Sequence, residues 1–358
     1  MMLSPASNNR RDLLSGSSPD SIAIQLTTRC NLRCKMCRFW KLQAKDPPYE
    51  KILSLLDEAY ELGARRFDPY GTELFMREDM PEILAYADRI GFREIYVVSN
   101  GLLLNRPGLI EKLAAIKSLV IIVSVDGPKS IHDELRGNGV FDRAVANLRE
   151  LGRMGIKRSI ASIIMRPTID HLQKIVDLAS ELKIEVISIQ PFCLDLAQPD
   201  CDHAAFEFRP DEKKIVANKL KDLLKYARQK HVIIYTENIM KHVASYLVEG
   251  TNPFPPRGCH IPLKTLVVDI NGNVHPCFAI SKNMGNVNEM SLSSIWLNDI
   301  HRELAIAAME KKCPGCLRAC SDVEGFNTGI NNQFRHFADR SAKWAVRYVK
   351  KHLLPLNN

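Results

Sequence analysis

The stretch Ser21-Ile22-Ala23-Ile24-Gln25-Leu26-Thr27, followed closely by Cys30-Asn31-Leu32-Arg33-Cys34-Lys35-Met36-Cys37, decides how this chain of 358 residues is read. The first seven residues are rich in β-branched and apolar types and predict a strand. The cysteines that leave it are separated by three and then two residues. Three thiolates fill three corners of a [4Fe-4S] cube and leave the fourth iron open to a substrate or cofactor; a four-cysteine electron-transfer cluster offers no such position. Structural zinc is a competing reading, because Cys-x2-Cys pairs hold it in many proteins. However, the next cysteine is Cys193 and the next histidine His132, so a local tetrahedral site lacks its fourth ligand. Unliganded buried thiols are the third reading. They account for single cysteines better than for a spaced trio set among Asn31, Arg33, Lys35 and Arg38, whose charges favour thiolates.

Downstream, short β-rich runs at 66–68, 94–99, 120–125, 159–165 and 185–190 alternate with segments at 50–62, 80–90, 107–116, 141–154 and 171–182. The latter place apolar residues at steps of three and four, so the pattern is one of repeated βα units around a parallel sheet. With residues 22–26 this makes six strands, enough for an incomplete barrel. Polar residues emerge where the apolar runs stop, in Asp68-Pro-Tyr-Gly-Thr-Glu-Leu74, Val98-Ser-Asn-Gly101 and Ser124-Val-Asp-Gly127. Barrel enzymes place their chemistry at these carboxyl ends of the strands, although each segment also suits a plain turn.

The Cys30-x3-Cys34-x2-Cys37 loop behind a strand resembles the radical S-adenosylmethionine (SAM) superfamily. The resemblance implies a partial (β/α)6 TIM-like barrel, a SAM-binding [4Fe-4S] cluster on these three cysteines, and reductive cleavage of SAM to a 5'-deoxyadenosyl radical. One departure is Met36, where that family commonly carries an aromatic residue; Phe39 and Trp40 follow instead. The 68–74 segment is similar to the family's Gly-Gly-Glu-Pro motif, which gives Glu73 the amino group of SAM, with Thr72 and Leu74 as departures. Ser124 and Arg136 correspond to the serine and arginine that bind the SAM carboxylate in relatives with a SPASM domain. Gln190 and Pro191, with the strand at 159–165, are implied walls for adenine.

A second cysteine set follows a break in regular structure at 251–258. Cys259, Cys277, Cys313, Cys316 and Cys320 fall within 62 residues. Asn271-Gly272 between two short apolar runs signals a hairpin that delivers Cys277 to a defined point. The set resembles the SPASM domain or its shortened twitch form. Five cysteines are too few for two fully cysteinyl clusters, so one auxiliary [4Fe-4S] cluster is implied. Cys259, Cys277, Cys313 and Cys316 are its matching ligands, and Cys320 is a spare or alternative member. A four-cysteine zinc site is the structural alternative. The expected organisation is a flexible arm over 1–19, the barrel with connecting helices over 20–250, the cysteine-rich α+β domain over 251–330 and a basic amphipathic helix over 331–358. That last segment carries Arg335, Arg340, Lys343, Arg347, Lys350 and Lys351 against Asp339, a large share of the net charge of +8.

Hydrophobic content of 46% and charged content of 25% are those of an ordinary globular chain and exclude pervasive disorder. No signal sequence or long apolar run is evident, so a cytoplasmic protein without a transmembrane segment is expected. The resemblance implies an oxidoreductase that abstracts a carbon-bound hydrogen while the auxiliary cluster accepts an electron, as in dehydrogenation of a sugar or aminocyclitol alcohol. A peptide or protein maturase is the alternative. A flavodoxin- or ferredoxin-type electron donor is an expected partner and nucleic acid is not. A non-catalytic iron-sulfur or zinc binding protein is the reading of another class.

Overall fold

The computed structural model describes residues 17–193, 203–251 and 258–317. Six consecutive parallel strands form its centre: β1 (Ser21–Thr27), β2 (Arg66–Gly71), β3 (Glu94–Ser99), β4 (Leu119–Ser124), β5 (Lys157–Ile164) and β6 (Val186–Pro191). They are joined by α1 (Tyr49–Glu61), α2 (Met80–Ile90), α3 (Leu109–Ala114), the pair α4 (Lys129–Arg136) and α5 (Val140–Arg153), and α6 (Leu172–Glu181). This is the partial (β/α)6 barrel that the alternation of patterns predicts. Beyond β6 come α7 (Lys213–Gln229), the short β7 (Ile233–Ile234) that extends the sheet, and α8 (Met240–Glu249).

Strand side chains alternate between faces, and the helices cover one of them. Ile22, Ile24 and Leu26 of β1, Phe67 of β2, Ile95 and Val97 of β3, and Ile121 and Val123 of β4 are buried in one cluster with Ile52, Leu56, Ile83 and Leu84 of the helices. Each such side chain contributes on the order of 1.5–3 kcal/mol by leaving water. The alternate residues are register partners across the other face: Gln25 with Tyr70, Val98 with Ile122, Ser124 with Ala161, and Ile163 with Gln190. Val98 is 49% exposed although it lies in the middle of the sheet, so this second face is open. Helices on one side thus leave a lined hollow on the other.

The break near residue 251 is not a break in the sheet. The strand β8 (Thr265–Val268) pairs in parallel with β1, matching Ser21 to Thr265 and Ile24 to Val268. The strands β9 (Asn273–His275) and β10 (Gly285–Asn286) continue it antiparallel, giving ten strands in all among the described residues. The expected hairpin is present. Gly272 turns it with φ of 85°, and a Cβ there would lie 2.7 Å from Asn288 Nδ2. Side chains reinforce the joint: Tyr70 Oη donates to Val268 O (3.1 Å), Gln25 Oε1 accepts from Ile270 N (3.1 Å), and Glu58 Oε2 caps α9 (Leu292–Ile295) through Leu292 N (2.7 Å). The last helix described is α10 (Asp299–Met309). Most of the expected 1–19 arm, the 331–358 helix and Cys320 lie outside the described residues.

Phe67 is fully buried between sheet and helices. Phe67→Ala should lower unfolding free energy by about 3–5 kcal/mol, read by denaturant titration, because the cavity adds to the lost transfer term.

Candidate active site

The chain leaves β1 as a two-faced ribbon. Arg29, Asn31, Arg33 and Lys35 are exposed, while Leu32, Cys34 and Met36 are buried and Cys30 is half-buried. One edge of residues 29–36 therefore meets water and the other carries thiols inward. Local hydrogen bonds hold this shape. Arg33 Nη1 donates to Cys30 O and Leu32 O at 2.9 and 2.8 Å, and Trp40 Nε1 donates to Cys37 O at 2.9 Å. The Arg33 guanidinium also stacks 4.5 Å from the Trp40 ring, and Lys35 N donates to Leu135 O of α4 at 2.8 Å. Trp40, which follows the third cysteine, thus braces the loop, and Met36 is buried in the core cluster.

None of the three thiols is in a disulfide. Burial pushes Cys30 up, and pushes Cys34 up to about 11, with the other two thiols adding to it and Arg136 opposing it. The three thiols thus lie near enough to sense one another in a setting that penalises bare thiolates. Inorganic cations supply the missing countercharge, so the donor set fits a thiolate-ligated cluster. Among the described residues no three His, Cys, Asp or Glu side chains converge as a site for a single metal ion. The fit rests on the grouping of the thiols.

The end of β2 is docked on the stem of this loop. A Cβ at Gly71 would lie 2.4 Å from Thr27 O, and Glu73 N donates to Arg29 O at 3.1 Å. Glu73 itself is fully buried. Its Oε1 accepts from Ser99 Oγ (2.9 Å) and Phe75 N (3.3 Å), and its Oε2 accepts from Asn100 N (2.8 Å). Burial pushes its pKa up against these three donors. The carboxylate acts here as a strut between the ends of β2 and β3, and Asn100 Nδ2 carries the connection on to Asn31 Oδ1 in the cysteine loop (2.8 Å). The sequence placed Glu73 at this loop; its inward turn onto Ser99 and Asn100 depends on a tertiary approach that spacing does not reveal.

Ser124 ends β4 with a half-buried hydroxyl, and Arg136 ends α4. Between them lies Asp126, completely buried, which the sequence marked only as part of a turn. Its Oδ2 accepts from Arg136 Nε at 2.6 Å and its Oδ1 from Ile163 N at 3.1 Å. Arg136 senses the thiols of Cys34 and Cys37 as well as Asp126. Its Nε is thus engaged by a buried carboxylate. His132 completes the group: Nδ1 accepts from Asp126 N at 3.1 Å, and the buried Nε2 has no partner among the described residues. Burial, with Arg136 adding, pulls its pKa down to about 4. A further residue that the sequence did not flag is Arg77, buried, whose Nη1 donates to Leu26 O (3.1 Å) and Pro47 O (3.0 Å) beneath the cysteine loop.

The second cysteine set gathers from three places. Gly258, with φ of 84°, would carry a Cβ 2.0 Å from Met309 O, and this close approach seats Cys259 N on Ala308 O at 3.1 Å. Cys277 follows β9, and Cys313 and Cys316 follow α10 around Gly315. Burial pushes Cys259 up to about 12 and Cys277 up to about 11, and both sense Cys313 and Cys316. Four thiols therefore share one neighbourhood. Phe278, beside Cys277, meets Tyr70 of β2 edge-on at 5.0 Å. The residue after Cys277 thus packs on β2, the strand whose end docks on the stem of the Cys30–Cys37 loop.

The chain thus carries three thiols after the first strand of a partial barrel and four more around an appended hairpin. Residues 24–179 match the radical SAM superfamily, and 259–321 match an iron-sulfur cluster-binding domain, SPASM; the chain belongs to the radical SAM superfamily in its SPASM-containing branch. Iron-sulfur clusters of the [4Fe-4S] type and SAM are the cofactors this architecture implies. An Fe-coproporphyrin III synthase of Methanosarcina barkeri is 34% identical over 166 residues, 44% of this chain and only 40% of that protein. An AdoMet-dependent heme synthase of the same organism is 26% identical over 330 residues, 84% of this chain and 91% of the relative. The crystal structure of Streptococcus suis SuiB bound to S-adenosylmethionine matches with a TM-score of 0.67 at 16% identity, covering 87% of this chain and 77% of SuiB. Among the described residues no helix is long and apolar enough to cross a membrane.

Two outcomes follow from the Asp126 group. Asp126→Asn should weaken SAM binding by about tenfold or more in equilibrium dialysis, because a charge-assisted bond that aims Arg136 is lost. His132 is held neutral, with a folded pKa near 4 against an ordinary 6.5, so the unfolded chain binds more protons in between. Stability should therefore fall as pH drops from 6.5 through 4 by up to about 3 kcal/mol, and His132→Gln should flatten that part of the denaturation profile.

Proposed function

We propose that this protein is an oxidoreductase that abstracts a carbon-bound hydrogen from its substrate and delivers one electron of the resulting substrate radical to its second cysteine set. When bound, a [4Fe-4S] cluster with one open iron, together with SAM, supplies the 5'-deoxyadenosyl radical that takes the hydrogen. What supports this reading is the contact of Tyr70 with Phe278, which brings the residue after Cys277 against β2, the strand whose end docks on the stem of the Cys30–Cys37 loop.

The roles of the chain's own groups follow. Cys30, Cys34 and Cys37 hold the cluster that binds SAM. Arg136, aimed by Asp126, and Ser124 take the SAM carboxylate. Glu73 serves its amino group by fixing the loop at the end of β2, and Gln190 and Pro191 border the place for adenine. Cys259, Cys277, Cys313 and Cys316 hold the electron acceptor, with Cys320 next in the chain. The substrate lies against Tyr70, Val98, Ile122 and Phe278. Val98 and Phe278 are 49% and 40% exposed, and such apolar area suits a broad apolar ring better than the hydroxyl-rich aminocyclitol alcohol suggested by the cysteine pattern alone. The relative matched over 91% of its length is a heme synthase, so an iron porphyrin is our preferred substrate class. A peptide is the second reading, since the same open face also admits a chain carrying apolar side chains.

Anaerobic reconstitution should load about eight irons per chain, four for each cubane cluster. With a reductant, SAM and Fe-coproporphyrin III, 5'-deoxyadenosine and a lighter porphyrin should appear by mass spectrometry. An absence of SAM cleavage would sink the enzyme assignment. Cleavage without change to the porphyrin would sink the substrate class alone. Cys316→Ala should retain 5'-deoxyadenosine formation and lose product; product formed at the ordinary rate would remove the electron-accepting role.

A further inference from the structure

The open face of the sheet carries a charged pair below the residues at its mouth. On β2 the side chains of Arg66, Asp68 and Tyr70 share one face, alternating with the buried Phe67, and their register partners on β1 are Ser21, Ala23 and Gln25. Arg66 is also the partner of Glu94 on β3, the strand whose same face continues through Tyr96 to Val98. Closed barrels fill such interior positions with branched apolar side chains. Here the position is ionic. Arg66 Nε donates to Asp68 Oδ2 at 2.9 Å, and Nη2 donates to Ser21 Oγ at 3.2 Å. These bonds use part of the guanidinium's fork of donors. Asp68 is the main support of the arginine's charge against burial.

An ion pair inside a filled barrel would be sealed from water. The side chains of Arg66 and Asp68 instead keep 34% and 27% exposure, so the hollow reaches down to them. It also narrows on the way. Val98 at the mouth is 49% exposed, Tyr96 below it is half-buried, and Ala23 beside Asp68 is completely buried. Tyr96, and Tyr235 just after β7, both lie near enough to sense Arg66. Alternate residues of a strand are about 7 Å apart, so the pair sits about 7 to 13 Å below Tyr70. A broad ring stops at the mouth, whereas an arm of a few atoms reaches the pair. The arrangement repeats that of Asp126 and Arg136, in which a carboxylate holds the arginine through its Nε.

We propose that Arg66, aimed by Asp68, sets substrate specificity by taking a carboxylate-bearing arm of the substrate whose ring rests on Tyr70, Val98 and Phe278. This deepens the iron-porphyrin reading and rests on it, since the propionates of Fe-coproporphyrin III are such arms. A guanidinium meets a carboxylate in a matching plane through charge-assisted bonds. Glu94 opposes the arm, but it acts on Arg66 more weakly than Asp68 does.

The test uses the reconstituted full chain and Soret-band titrations with two ligands that share a ring, Fe-coproporphyrin III and its all-amide analogue. Arg66→Gln should weaken binding of the acid about tenfold or more and leave the amide within about twofold, which shows the fold and the ring site intact. Arg66→Lys should recover part of the loss, because the charge returns without the fork. Glu94→Gln should strengthen binding of the acid about two- to threefold, since a repelling charge is removed. Weakening by Glu94→Gln would mean that the arm is a cation or a hydrogen-bond donor, and would overturn the proposal. So would equal weakening of acid and amide by Arg66→Gln, the mark of a merely structural pair, or no change in either. If the wild-type chain with its irons loaded binds neither porphyrin, the iron-porphyrin reading falls and this subsite with it.

Discussion

The parallel pairing of β1 on both of its edges is the constraint on which the rest of this molecule depends. One edge bonds β2, whose loop braces the cysteine ribbon, and the other bonds β8, which opens the domain carrying the second thiol set. An inner strand whose main chain is satisfied on both sides cannot slide without inverting its faces. The origin of the Cys30 to Cys37 ribbon is thereby set relative to both neighbours at once. The distance between the two centres is consequently a property of sheet register.

Around that strand, buried polar groups take over where the ladder stops. Glu73 joins the ends of β2 and β3 to Asn31, while Asp126 joins β4, β5 and the end of α4. Each is a carboxylate out of contact with water, and each is met by several donors. A buried carboxylate left with fewer donors is costly, so these positions resist rearrangement. The consequence is pre-organisation: the side chains at these strand ends are held by partners before any ligand arrives.

Much of this was legible in the sequence. The strand at 94–99 and the helix at 80–90 coincide with the structure because their alternation and three-to-four spacing are local signals. The connecting helices expected before residue 250 include α7. The short α4 was missed, since its eight residues include only Ile131 and Leu135 as large apolar anchors. The union of β8 with β1 could not be read, because it joins residues more than 240 positions apart and leaves no periodic trace. The same applies within the site. Spacing singled out the cysteines, and the family resemblance singled out Glu73 and Arg136, as candidates, whereas the contacts of Asp126, His132 and Arg77 are made only after folding.

The bond from Lys35 N to Leu135 O has a further implication. It ties the ribbon that bears the thiols to the helix that ends in Arg136, the residue next along the chain. Ordering either segment lowers the entropic cost of ordering the other, which makes metal incorporation and anion capture thermodynamically linked events. Linkage of this kind is reciprocal. On the roles proposed for these residues, a filled first centre would hold an anion at Arg136 more tightly than the bare loop does, and a seated anion would in turn protect the centre against loss of iron.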